Sequence, residues 1–230
     1  MIPRGYLYVF GCASSFGIIT TLAKITYDEG ASPPTVVFFR LLAGSILMGI
    51  MSAWSHRKNL LSGKSKPESS NTWRLRILIL VTGISIAVMS LGYLGSVKYI
   101  PVSLSVLLFF TFPFWVLLLN YFIDGEVPGR LKLLAFVFAF FGLALTLGPN
   151  WEVLDWRGIS LVLAGALGAS GMIIGGAKSV QLISMRHLVF FSNTVGAVLV
   201  GIILLLTDTF SPSQTPLGWA GITSICILFV

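Results

Sequence analysis

Ionisable side chains are scarce in this chain, and most of them fall at the edges of long apolar runs. Arg40 is the exception. It sits within Val36-Val37-Phe38-Phe39-Arg40-Leu41-Leu42, roughly 9 Å along a helix that opens at Pro34. A guanidinium at such depth usually faces a cavity or a partner, so its chemistry would be attraction of an anionic solute. The competing reading lets it snorkel to the outer interface or pair with Asp28 or Glu29. Lys24 stands one turn before Asp28, where an i,i+4 ion pair is the plainer account. Binding of an acidic substrate or coupling to a proton is the alternative for Lys24. Lys178 needs no more than anchoring at a membrane surface.

The polar and amphipathic groups available to a cavity are Ser14, Tyr93, Thr111, Trp115 and Asn120, with Ser15 and Asn193 beside them. Most serines and threonines in membrane helices only bond their own backbone or a neighbouring helix. Glu126 closes a helix at the end where the dipole disfavours a carboxylate. It therefore calls for a partner such as Arg130 or Lys132, and reads as a structural gate. Pro113 lies inside a long apolar span and is either a bending point or a static kink. The two histidines, His56 and His187, fall near span ends, and no carboxylate pair lies at membrane depth. An acid–base enzyme would need such a convergent set. Cys12 and Cys226 lie in apolar runs and read as small buried hydrophobes, not as a disulfide or metal pair. No metal or other cofactor is expected.

These residues need membrane helices to position them. Of the 230 residues, 56% are hydrophobic and 10% charged, with a mean hydropathy of +0.93. Soluble domains carry about 25% charged residues. The lipid bilayer is thus the first expected partner, and the net charge of +7 does not point to nucleic acid. The longest uncharged run is PVSLSVLLFFTFPFWVLLLNYFI from Pro101, roughly 34 Å as a helix against a hydrocarbon core of about 30 Å. Pro113 frees a carbonyl there, which a neighbouring helix or polar side chain must satisfy.

Further helices are expected at about 5–27, 34–54, 75–97, 130–148, 158–177 and 187–207, with another beginning at 217. Residues 55–76 form a polar, basic link. The first apolar segment runs past Cys12 to about Tyr27, too long for a signal-peptide core, and reads as a retained helix. Eleven lysines and arginines fall in segments on the N-terminal side of the membrane, against Lys98 and Arg157 on the other. Positive charge marks the inside, so the N-terminus is cytoplasmic.

An internal repeat is also legible. Gly11, Gly17 and Lys24 recur 154 residues later as Gly165, Gly171 and Lys178. Val37-Phe38-Phe39, Gly44 and Gly49 recur 152 residues later as Val189-Phe190-Phe191, Gly196 and Gly201. Ser192 takes the place of Arg40. A first unit of five helices, an odd number, forces the second to enter the membrane in the opposite sense, a plan of secondary transporters. The expected division is residues 1–149 as the first unit and 150–230 as part of the second, with two helices and a portion of a third. On this reading the chain is a fragment that lacks roughly two and a half helices.

The order of these features resembles the EamA-like family of the drug/metabolite transporter superfamily. The residues that carry the likeness are P-V-S-L-S-V-L-L-x8-L-L-x5-G-E from Pro101 to Glu126, Ser32-Pro33 followed by Phe38-Phe39-Arg40-Leu41-Leu42, and the glycines and late lysine between Gly5 and Lys24. The resemblance implies an all-α polytopic bundle, an inverted five-plus-five helix repeat, truncated here in its second half. It implies export or exchange of small organic solutes by alternating access. Arg40 and Lys24 tilt the expected solute toward carboxylates such as amino acids. A coupling proton, a homodimer and a place in the bacterial inner (plasma) membrane complete the expectation; a sensor or non-transporting paralogue is the alternative.

Overall fold

The computed structural model describes residues 18–61, 72–125, 129–148 and 155–229. Ser14 and Glu126, both named above, lie outside the described residues. Helix α1 covers residues 18–28. It is followed by α2 (Pro33–Leu61), α3 (Thr72–Ser96), α4 (Val102–Phe109), α5 (Phe112–Asp124), α6 (Arg130–Leu147), α7 (Trp156–Val180), α8 (Met185–Thr207) and α9 (Pro216–Phe229). The described residues contain no strand. Among the described residues, five stretches are long and apolar enough to cross a membrane: Pro33–Trp54, Trp73–Ser96, Val102–Asp124, Trp156–Val180 and Met185–Thr207. Large apolar side chains cover the outside of the bundle, among them Leu131 (81% exposed) and Leu145 (84%) on α6. An exterior of that kind has lipid as its solvent.

The basic link is shorter than the charges imply. Helix α2 continues through Leu61 and α3 begins at Thr72, because Arg, Lys and Leu are good helix formers once a helix has been nucleated by its apolar part. The span from Pro101 is two helices. Phe110 and Thr111 separate α4 from α5, and Pro113 occupies the first turn of α5, where its missing N–H costs least. A neighbouring helix contacts the break: Ser170 of α7 donates to Phe112 O at 2.9 Å, although the carbonyl that Pro113 leaves without a helical donor is that of Phe109, four residues earlier. Gly125 ends α5 in the left-handed conformation (φ 70°), which glycine adopts without a Cβ penalty.

Helices α2 and α8 pack against each other. Four contacts fix them as antiparallel. A methyl on Gly201 would stand 3.2 Å from the Phe38 ring, and one on Gly196 would stand 3.2 Å from Leu41. The Ser45 and Thr194 hydroxyls are 2.7 Å apart, and a methyl on Gly49 would stand 2.9 Å from the Phe190 ring. Helices α3 and α7 also run antiparallel, at closer range. Gly92 faces Gly165, Gly168 faces Met89, and Gly175 faces Thr82. Small residues let helix backbones approach in this way. At one end of the bundle the turn between α1 and α2 is tied to the loop before α9: Ser32 N donates to Ser211 O (2.9 Å), and Thr215 Oγ1 donates to Glu29 Oε2 (2.6 Å). At the other end, Lys178 of α7 pairs with Asp124 of α5 at 2.7 Å.

Candidate functional site

Helix α2 turns Val36, Val37, Arg40 and Leu41 inward, all fully buried or nearly so. Phe39 points elsewhere and packs edge-on against Trp219, 5.8 Å between centroids. Arg40 is 2% exposed, and its Nη2 donates to Ser90 Oγ on α3 at 3.1 Å. Tyr27, Tyr93 and Cys226 are its electrostatic neighbours, so α1, α2, α3 and α9 all meet at this one cation. Neither snorkelling nor a pair with Asp28 or Glu29 describes it. The Glu29 carboxylate accepts from Thr215, and among the described residues the one ion pair is Lys178–Asp124.

Tyr93 is buried and does two things. Its ring stacks on Phe109 of α4, with centroids 4.2 Å apart and planes 26° from parallel. Its hydroxyl engages Thr20 of α1. Phe109 continues into a cluster that includes Phe112 and Trp115, linking the α4–α5 break to the Arg40 surroundings through ring contacts.

Two cavities are lined by neighbours of Arg40 and not by Arg40 itself. One is a cleft of about 600 Å³ at the end that carries the α1–α2 turn. Lys24, Asp28, Lys98 and Tyr99 line it, as does Tyr27, which thereby joins the cleft to Arg40. Lys24 and Asp28 share this lining without forming the expected i,i+4 ion pair. The other is a cavity of about 210 Å³ between α2, α3, α7 and α8, lined by Gly44, Met48, Ile86, Met89, Met172, Val189 and Asn193.

The remaining residues singled out from the sequence disperse. Thr111 bonds its own backbone, donating to Leu108 O at 2.7 Å beside the helix break. Trp115 packs against the core, and Asn120 is half-buried further along α5. Pro113 belongs to the break itself. Thus Arg40 and Tyr93 come together, Lys24 is at the mouth of the adjoining cleft, and Thr111, Trp115 and Asn120 are not at the guanidinium. Sequence reasoning missed Tyr27 and Ser90, and it took Cys226 only as a hydrophobe. No spacing connects residue 40 to residues 90 and 226; Tyr27, one turn beyond Lys24, was the single one open to detection by helical periodicity.

A helical bundle with several spans long and apolar enough to cross a membrane defines a class: multi-pass integral membrane proteins. The match to the EamA-like transporter family model extends over residues 3–148, more than half of the chain, and the chain belongs to that family. It is therefore a member of the drug/metabolite transporter superfamily, a membrane transporter of small solutes. A solved structure titled "Crystal structure of protein" superposes with a TM-score of 0.61 at 19% identity, covering 95% of this chain and 73% of that one. At that identity the likeness concerns the fold. No curated protein matches the chain.

Proposed function

We propose that this chain exports small organic carboxylates by alternating access, with Arg40 as the group that attracts the substrate's anion. The observation that carries the reading is the near-complete burial of Arg40. Its guanidinium donates to Ser90 and has Tyr27 and Tyr93 as electrostatic neighbours at membrane depth, where a charge is costly and is kept for a purpose. Lys24 and Lys98 add positive charge to the cleft that leads to it. Tyr93 completes the substrate-contacting set, and Ser14, Thr111, Trp115 and Asn120 are kept as secondary candidates. A coupling proton and a homodimer remain part of the reading.

The moving parts would be two inverted units, residues 1–149 and 150–230. Reciprocal contacts support the relation. Phe38 meets Gly201 while Phe190 meets Gly49, and each residue of one contact lies 152 positions from its counterpart in the other. The pairing of α3 with α8 has its counterpart in that of α9 with α2. Such exchange is what a two-fold axis in the membrane plane produces. The excess of positive charge in the links puts the N-terminus and the Lys178–Asp124 pair on the cytoplasmic side. The cleft then opens outward, with the inner end latched by that pair. Pro113 and the break at Phe110–Thr111 would let α5 swing when the latch opens, and Glu126 keeps the gating role read from the sequence.

The test is transport in proteoliposomes holding the full chain, with radiolabelled small carboxylates and their neutral amides side by side. Arg40→Gln should lower carboxylate flux at least about tenfold, the cost of one charge-assisted hydrogen bond, and leave amide leakage as it is. Wild-type carboxylate flux in Arg40→Gln would remove Arg40 from the mechanism.

A further inference from the structure

The smaller cavity has features that the reading of Arg40 does not use. Arg40, Gly44 and Met48 stand at i, i+4 and i+8, one stripe of α2, so the cavity begins one turn along the helix from Arg40. On α3 the same holds. Ile86 and Met89 line the cavity, and Ser90, which holds Arg40, is one turn beyond Ile86 and next to Met89. The cavity also lies at the crossing of α2 and α8. Gly44 falls between Phe38 and Gly49 on α2, and Gly196 falls between Phe190 and Gly201 on α8. The reciprocal contacts therefore centre on the level of Gly44 and Gly196. In inverted-repeat transporters the substrate sits at this level.

The lining is apolar apart from Asn193, a side chain that is itself only 2% exposed. Three of its seven residues are methionines, whose flexible thioethers adjust to apolar guests of different shape. Its volume of about 210 Å³ exceeds the roughly 150 Å³ at which an apolar-lined cavity takes up benzene. It falls short of the roughly 300–1,000 Å³ of pockets for drug-sized molecules. The guest is an apolar group of up to about one aromatic ring.

We infer that this cavity is the side-chain pocket of the transport site, so that the substrate is a carboxylate carrying a compact apolar side chain, with Asn193 reading a single polar atom on it. The inference rests on Arg40 holding the carboxylate. Together they define a substrate with an anionic head one helical turn from an apolar body. Met48, Met89 and Met172 then set the upper size limit, and Arg40 sets the charge.

Binding to the full chain in nanodiscs, measured with acetate, phenylacetate and 1-naphthylacetate as probes, tests this. Phenylacetate should bind roughly ten- to a hundredfold more tightly than acetate, the worth of one buried aromatic side chain. It should also bind more tightly than the two-ring acid. Val189→Phe fills the cavity and should bring the phenylacetate-to-acetate ratio close to one. Met172→Ala enlarges it and should raise the relative affinity for 1-naphthylacetate. Both positions are only partly buried, so the two variants check each other against misfolding. Arg40→Gln should weaken all three acids together and keep their ratios. Ratios that ignore Val189→Phe and Met172→Ala overturn the pocket while Arg40 stands. Absolute affinities that ignore Arg40→Gln overturn the anion site instead, and with it the proposed substrate class.

Discussion

Substituting Gly168 by alanine tests the packing that holds the site together. A methyl there would stand 2.6 Å from Met89 N and 2.8 Å from Ser85 O, both backbone atoms of α3. Real Cβ atoms do not approach backbone so closely, and backbone cannot rotate aside as a side chain can. Helices α3 and α7 must therefore move apart, and overpacking of this kind costs about 1–3 kcal/mol. The same substitution also removes the entropic cost of a helical glycine, a gain of about 1 kcal/mol. Gly176 isolates that gain, because a methyl there meets nothing within 4 Å. Gly168→Ala should thus lie about 1–3 kcal/mol below Gly176→Ala in stability, a factor of roughly 5 to 150 in the unfolding equilibrium. Unfolding in mixed micelles, followed by tryptophan fluorescence, measures both variants on one scale. Met89 borders the smaller cavity and its neighbour Ser90 holds Arg40, so Gly168→Ala should weaken solute binding as well. Equal stabilities for the two variants would refute close backbone contact between α3 and α7.

Two other predictions follow from single interactions. The Lys178–Asp124 pair is partly exposed (31% and 41%), so breaking it should change stability by no more than about 1 kcal/mol. If it latches the inner end, Lys178→Ala should still slow solute exchange, and the charge swap Lys178→Asp with Asp124→Lys should restore it; no restoration means that the pair is not a latch. Tyr93→Phe keeps the ring on Phe109 and removes only the hydroxyl, a cost of about 0.5–1.5 kcal/mol. Tyr93→Ala also loses the stacking and should cost about 3–5 kcal/mol, and equal thermal stabilities of these two variants would contradict the stacked geometry.

Much of the architecture was legible because a membrane imposes a simple rule on a chain. Spans must be long and apolar, and their interruptions must be polar or turn-forming. Apolar length revealed the helices. Helix ends were less legible. Helix α2 runs on through the charged His56-Arg57-Lys58 as far as Leu61, because helix propensity persists where membrane depth has run out. Pro113 announced a disturbance, but that the span would divide between Phe109 and Phe112 was visible only in the structure.

The sequence by itself determined that this chain crosses a membrane several times, that Arg40 interrupts an apolar run, and that two sets of glycines recur at a nearly fixed distance. Those properties are written in order and spacing along the chain. Tertiary structure alone decided what surrounds Arg40, since Tyr27, Ser90, Tyr93 and Cys226 come from three other helices. It decided that Lys178 meets Asp124 and that Lys24 borders a cleft instead of pairing with Asp28. It also gathered Met48, Met89, Met172 and Asn193 around one cavity. The physical reason is that periodicity specifies which residues share a face of a helix, whereas the rotation of that face and the helix it meets are set by packing among all of them.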